Sequence, residues 1–195
     1  MWISAGQWIK IILMGRLKEF MKTAIKDYRV GALAPTSQKA ARRIVGLLKP
    51  GCRYLIEYGP GNGAVTRAIL ERLPPTGQVV AIEINLNFAR SLQTISDRRL
   101  RVIAGDALEF IQRPDIIGLP QVETIISGIP FSFLKPARRQ EIIQNTRELL
   151  TKDGLFLVYQ LSPLILPTLK QHFRRVRVAF EPRNFLPYFI MAAEK

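Results

Sequence analysis

Three acids and three glycines in the first part of a 195-residue chain are the residues whose types and spacing could do chemistry. Gly59, Gly61 and Gly63 lie in Tyr54-Leu55-Ile56-Glu57-Tyr58-Gly59-Pro60-Gly61-Asn62-Gly63, ahead of the helix-like stretch Ala64 to Leu73. An apolar run that stops at an acid and breaks into glycines two residues apart reads as a buried strand turning tightly into a helix. Side chains at those positions would block the turn or hold a ligand off the backbone, and the bare N–H groups at the helix start favour polar or anionic ligand atoms. The spacing Gly59, Gly61, Ala64 also fits the dinucleotide fingerprint, so the glycines alone leave a nicotinamide cofactor open. The neighbouring acids point elsewhere. Glu57 would repel a pyrophosphate, but it could accept hydrogen bonds from the ammonium of an amino-acid-like ligand. Glu83 ends the run Val79-Val80-Ala81-Ile82, where an acid can take the two hydroxyls of a ribose. Asp106 follows Val102-Ile103-Ala104 in Gly105-Asp106-Ala107-Leu108. Three successive strand ends each deliver one carboxylate, an arrangement suited to a cationic cofactor.

The pattern Glu57-x-Gly59-x-Gly61-x-Gly63, with Glu83 and Asp106, resembles that of class I S-adenosylmethionine-dependent methyltransferases over residues 50–160. The resemblance implies S-adenosyl-L-methionine as cofactor. It assigns the methionine part to the Glu57 turn, the ribose to Glu83 and the adenine amino group to Asp106, with Ile84, Ala107 and Ser127 completing the set of cofactor contacts. A single cysteine, Cys52, and a single histidine, His172, provide neither an internal disulfide nor metal-ligand spacing, so no metal is expected.

The elements that must position these groups alternate between strand and helix. After the first strand and helix, Pro74-Pro75-Thr76-Gly77 turns into strand two, and Asn87 to Ser96 reads as a helix. Leu100 to Ala104 is strand three, Ala107 to Gln112 a short helix broken by Pro114, and Val122 to Ser127 strand four. A helix over Pro136 to Leu150 leads through Asp153-Gly154 into strand five, Leu155 to Tyr159, and the tail offers two more strands, Arg174 to Phe180 and Phe189 to Ala193. The expected fold is α/β: a Rossmann-like, seven-stranded, mostly parallel sheet with helices on both faces and a C-terminal antiparallel strand. Residues 30–195 make up this methyltransferase domain, and residues 1–29 precede it as a separate amphipathic helix.

That helix carries Ile9, Ile12, Leu13, Leu17, Phe20, Met21, Ala24, Ile25 and Tyr28 at helical spacing, with Lys10, Lys18, Lys22 and Lys26 opposite and Trp2 and Trp8 upstream. A basic amphipathic segment with aromatic anchors suits a membrane interface, while its charges interrupt the apolar run too early for a spanning helix. The charge distribution agrees. Residues 1–50 hold ten Lys or Arg against two acids and residues 170–195 hold six against two, whereas the middle of the chain is nearly neutral. Basic ends point to an anionic surface, either membrane or nucleic acid. The next helix starts at Thr36 or Ser37 as N-cap and runs to Leu48. The basic start followed by Val30-Gly31-Ala32-Leu33-Ala34-Pro35-Thr36-Ser37 is similar to the opening of bacterial phospholipid N-methyltransferases, which methylate phosphatidylethanolamine. This implies a phospholipid substrate and a peripheral position on the cytoplasmic face of the membrane.

Strand four ends in Ser127-Gly128-Ile129-Pro130-Phe131-Ser132-Phe133, and ligands of open α/β sheets lie beyond the carboxyl ends of the strands. Adenine N6-methyltransferases, the ribosomal RNA dimethylases among them, carry Asn or Asp at the position of Gly128 to accept from the target amine. Gly128 lacks that acceptor, and Ser-Gly-Ile-Pro-Phe resembles the phospholipid enzymes instead. The catalytic candidates are Ile129, through its carbonyl, Phe131, as a ring facing a product cation, and Tyr188 or Tyr28 as proton relays. The competing reading is a ribosomal RNA adenine N6-methyltransferase, favoured by the basic ends and disfavoured by Gly128 and by the absence of a C-terminal helical domain.

Overall fold

A computed structural model describes residues 36–182 and 187–195. The described residues form one seven-stranded sheet: β1 (Tyr54–Tyr58), β2 (Gln78–Glu83), β3 (Leu100–Ala104), β4 (Thr124–Ser127), β5 (Leu155–Gln160), β6 (Arg175–Glu181) and β7 (Tyr188–Glu194), in the order β3-β2-β1-β4-β5-β7-β6. The first five strands are parallel, and β7 runs antiparallel to both its neighbours. The strand order reverses between β1 and β4, so the loops leaving these two strands diverge and open a crevice at their carboxyl ends. This is the mostly parallel Rossmann-like methyltransferase sheet with its C-terminal antiparallel strand. The amphipathic segment assigned to residues 1–29 lies outside the described residues.

β1, β2, β4 and β5 are apolar along nearly their whole length because both sheet faces are covered. The period-2 alternation splits each strand between two cores. Ile56, Tyr58, Val80, Ile82, Ile125, Phe156 and Val158 pack on one face with residues of α4 (Ala107–Ile111), α5 (Pro114–Ile117), α6 (Pro136–Leu149) and α7 (Leu166–His172). Leu55, Val79, Ile126, Leu157 and Tyr159 pack on the other against α1 (Gln38–Val45) and α2 (Ala64–Arg72). Glu57 shares the parity of Leu55, which aims its carboxyl toward α2.

Helix boundaries follow capping chemistry more than apolar periodicity. Ser37 caps α1 by accepting from the Ala40 N–H at 3.2 Å, but α1 ends at Val45 rather than Leu48, in a turn that begins with Gly46. α3 (Leu86–Gln93) starts one residue before the expected Asn87, because the Asn85 side chain accepts from the Asn87 and Phe88 N–H groups. Pro114 opens α5 from its first turn, where a missing N–H costs nothing.

Candidate active site

Backbone hydrogen bonds bring the ends of the four strands into one rim. The Gly59 N–H donates to the Ile82 carbonyl at 2.9 Å, the Gly105 N–H to the Glu83 carbonyl at 2.9 Å, and the Gly128 N–H to the Tyr58 carbonyl at 2.9 Å. Between β1 and α2 the chain needs left-handed backbone, which glycine alone adopts without strain: Gly61 has φ 56° and Gly63 has φ 78°. Their surroundings differ. A Cβ on Gly61 would have no atom within 4 Å, whereas one on Gly63 would lie 2.7 Å from Leu92 Cδ2. Gly61 borders open space where a ligand can approach the backbone, and Gly63 closes the turn onto α3.

The three acids have different surroundings. Glu57 is completely buried, and the Thr66 hydroxyl donates to its Oε2 at 2.7 Å. Among the described residues its Oε1 has no partner. Burial pushes the Glu57 carboxyl from the usual carboxylate range up to about 8, opposed by the Thr66 hydrogen bond and reinforced by the charge of Glu83. Glu83 accepts from the Gly61 N–H at 2.9 Å through Oε2 and from the Asn85 N–H at 2.8 Å through Oε1, so it fixes the glycine turn while each oxygen keeps a lone pair for a hydroxyl. Asp106 caps α4 by accepting from the Leu108 N–H at 3.0 Å, and its other oxygen is paired with Arg138 at the start of α6. An adenine amino group at Asp106 would share the carboxylate with that guanidinium. Ile84 is 50% exposed beside Glu83 and offers an apolar surface to a purine. Ala107 is buried in the first turn of α4. Ser127 is fully buried, and its hydroxyl accepts from the Ile129 N–H at 3.3 Å.

These features fit a cofactor with a cationic amino-acid end and a nucleoside. The orphaned buried Oε1 of Glu57 lacks a donor, Glu83 has lone pairs to spare at the mouth of the turn, and the backbone at Gly61 is open.

The loop after β4 is tied to β5. The Phe131 N–H donates to Gln160 Oε1 at 3.1 Å, and Gln160 Nε2 donates to the Ser162 carbonyl at 2.6 Å. The Phe131 ring has 0% exposure and packs in the core beneath the loop, so its visible contribution to the site is the backbone bond to Gln160. The Ile129 carbonyl already accepts from the Phe131 N–H at 2.9 Å. Tyr188 opens β7 and stands edge-on to Tyr159, with ring centroids 5.7 Å apart. Tyr28 lies outside the described residues. Thr66, Arg138, Tyr159 and Gln160 were not singled out from sequence. Tyr159 and Gln160 end strand five, so the rule that ligands meet strand carboxyl ends marks them; no comparable signal marks Thr66 or Arg138.

The sheet order, the glycine turn and the acids at successive strand ends define a class I S-adenosylmethionine-dependent methyltransferase with S-adenosylmethionine as its cofactor. Similar folds include precorrin-6y C5,15-methyltransferase from Geobacter metallireducens (TM-score 0.65, 18% identity, 83% of this chain and 92% of that one). Human methyltransferase-like protein 13, solved in complex with SAH, is another (TM-score 0.60, 19% identity, 80% and 81%). The ribosomal RNA adenine dimethylase family model matches residues 36–142, more than half of the chain. The chain belongs to that family. Among curated relatives, an ornithine lipid N-methyltransferase of Singulisphaera acidiphila is 26% identical over 81% of this chain and 84% of its own length. Ribosomal RNA small subunit methyltransferase A of a Burkholderia species is 33% identical over 58% of this chain. Human mitochondrial dimethyladenosine transferase 1 is 28% identical over 76%. The match spans 36% and 42% of the lengths of these two relatives.

Proposed function

We propose that this methyltransferase acts on the headgroup amine of an aminophospholipid, phosphatidylethanolamine or its methylated forms, at a membrane surface. The observation that carries this reading is Gly128. It stands where adenine N6-methyltransferases hold an amide or carboxylate, and a Cβ there would lie 2.9 Å from the Gly59 carbonyl and closer still to the β5 side chain beside it. A side-chain acceptor at 128 has no room. The lipid-methylating relative, which aligns over 81% of this chain, supports the same class of acceptor.

S-adenosylmethionine, when bound, would supply an electrophilic methyl group; the substrate ammonium must first give up a proton so that its nitrogen lone pair can take the methyl, with the electrons of the broken S–C bond remaining on sulfur. In this reading the Glu57 turn holds the methionine end, Glu83 the ribose, and Asp106, Ile84 and Ala107 the adenine, with Ser127 holding the turn after β4. The protein's main work is alignment and exclusion of water. Phe131 fixes the loop through its backbone, and Tyr188 and Tyr28 are candidates to receive the proton. The basic amphipathic sequence of residues 1–29 would bind the anionic cytoplasmic face of the membrane, each cation contributing about 1 kcal/mol. Among the described residues no helix is long and apolar enough to cross a membrane.

Family membership and the relatives that act on ribosomal RNA favour a second reading, methylation of adenine N6 in ribosomal RNA. The two separate on incubating the protein and radiolabelled S-adenosylmethionine with phosphatidylethanolamine vesicles and, in parallel, with ribosomal RNA. Label is expected in the lipid, more on anionic vesicles and less after deletion of residues 1–25. Label in RNA with none in lipid would overturn the proposal and establish the second reading.

A further inference from the structure

The space that a side chain at position 128 would fill is occupied by another residue. A Cβ built on Gly128 would lie 2.5 Å from Tyr159 Oη and 2.8 Å from Tyr159 Cζ. β5 neighbours β4, with Ser127 in register with Val158, and this pairing places Tyr159 next to the end of β4. The ring is held edge-on by Tyr188. Tyr159 is 7% exposed.

We propose that the Tyr159 hydroxyl is the acceptor that positions the substrate amine, replacing the amide that adenine methyltransferases carry at the Gly128 position, and that Gly128 and Tyr159 form one specificity-determining pair. This rests on the aminolipid reading above. Burial first, and then the nearby acidic groups of Glu57, Tyr188 and Glu83, hold the phenol well above its ordinary pKa, so the hydroxyl stays neutral. A neutral hydroxyl offers lone pairs to an N–H and places no fixed charge near the product cation. Hydrogen-bonding the N–H leaves the nitrogen lone pair free to point at the methyl group. Gly128 makes the arrangement sterically possible, and any larger residue there would push the hydroxyl aside.

The hydrogen bond to Tyr159 depends on how many methyl groups the acceptor carries. A primary amine has two N–H groups to offer and a monomethylated amine has one, whereas a dimethylated amine has none. Tyr159→Phe is therefore expected to lower kcat on phosphatidylethanolamine by on the order of tenfold to a hundredfold, to lower it on the monomethyl lipid, and to leave the last methylation within about twofold of wild type. S-adenosylhomocysteine binding, measured by calorimetry, should be unchanged and reports that the variant is folded. Gly128→Ala should show the same graded loss, because its Cβ displaces the hydroxyl.

Each of the three lipids, supplied separately in anionic vesicles, gives one rate for wild type and one for each variant. For Tyr159→Phe, an equal loss on all three, or a loss of S-adenosylhomocysteine binding, would overturn the role of Tyr159 and leave it a packing residue while the aminolipid reading stands. A wild-type protein that methylates none of the three would overturn the aminolipid reading and this proposal with it.

Discussion

Replacing Glu57 by glutamine removes a buried ionisable group while keeping an acceptor for the Thr66 hydroxyl. The wild-type carboxyl has no exposure, and burial raises it from 4.5 to about 8. A proton held more tightly in the folded than in the unfolded chain gives a contribution that is complete below pH 4.5, declines as pH rises, and is lost once pH passes about 8. At 1.36 kcal/mol per pH unit, the loss reaches about 3 kcal/mol at pH 7 and levels off at about 5 kcal/mol above pH 8. Urea denaturation of both proteins across this window measures the difference directly. Relative to wild type, Glu57→Gln should gain stability steadily as pH rises and should be the more stable protein at pH 8. In the proposed placement of the cofactor, binding should reverse the preference, because an ammonium beside Glu57 favours the carboxylate. Near neutral pH wild type should then release a proton on binding, visible as a calorimetric heat that depends on the buffer, and Glu57→Gln should bind more weakly without that release. Parallel stability curves for the two proteins, with no proton release by wild type, would refute the reasoning.

Glu83→Ala removes the acceptor of the Gly61 and Asn85 N–H groups and the proposed ribose contact, so S-adenosylmethionine should bind about 1–3 kcal/mol more weakly by calorimetry. Arg43 donates to the fully buried Glu181 at 2.7 Å, and Arg43→Ala should lower stability in urea. Because the Arg43 side chain is 37% exposed, solvent screening limits that cost to about 1–2 kcal/mol, and adding Glu181→Gln should restore part of it.

Local chemistry made much of this protein readable from sequence. An apolar run ending in Glu57 and broken by glycines can hardly be other than a buried strand and a tight turn, since Gly61 and Gly63 occupy backbone regions closed to other residues. Near-continuous apolar strands separated by helix-length segments require a parallel sheet covered on both faces, and that sheet sets Glu57, Glu83 and Asp106 along one rim. Tertiary structure decided what depends on pairing between distant residues. The placement of β7 between β5 and β6 comes from strand pairing that no local pattern encodes. The raised pKa of Glu57 comes from packing that excludes water, and the capture of Asp106 by Arg138 from a helix 32 residues away in sequence. Phe131, read from sequence as a ring facing a product cation, is fully buried in the core, and Gln160 of the next strand holds its backbone. The Tyr159 hydroxyl stands against Gly128 for a related reason: adjacent parallel strands bring residues 31 positions apart to one point, and a glycine leaves its neighbour's side chain free to fill the space.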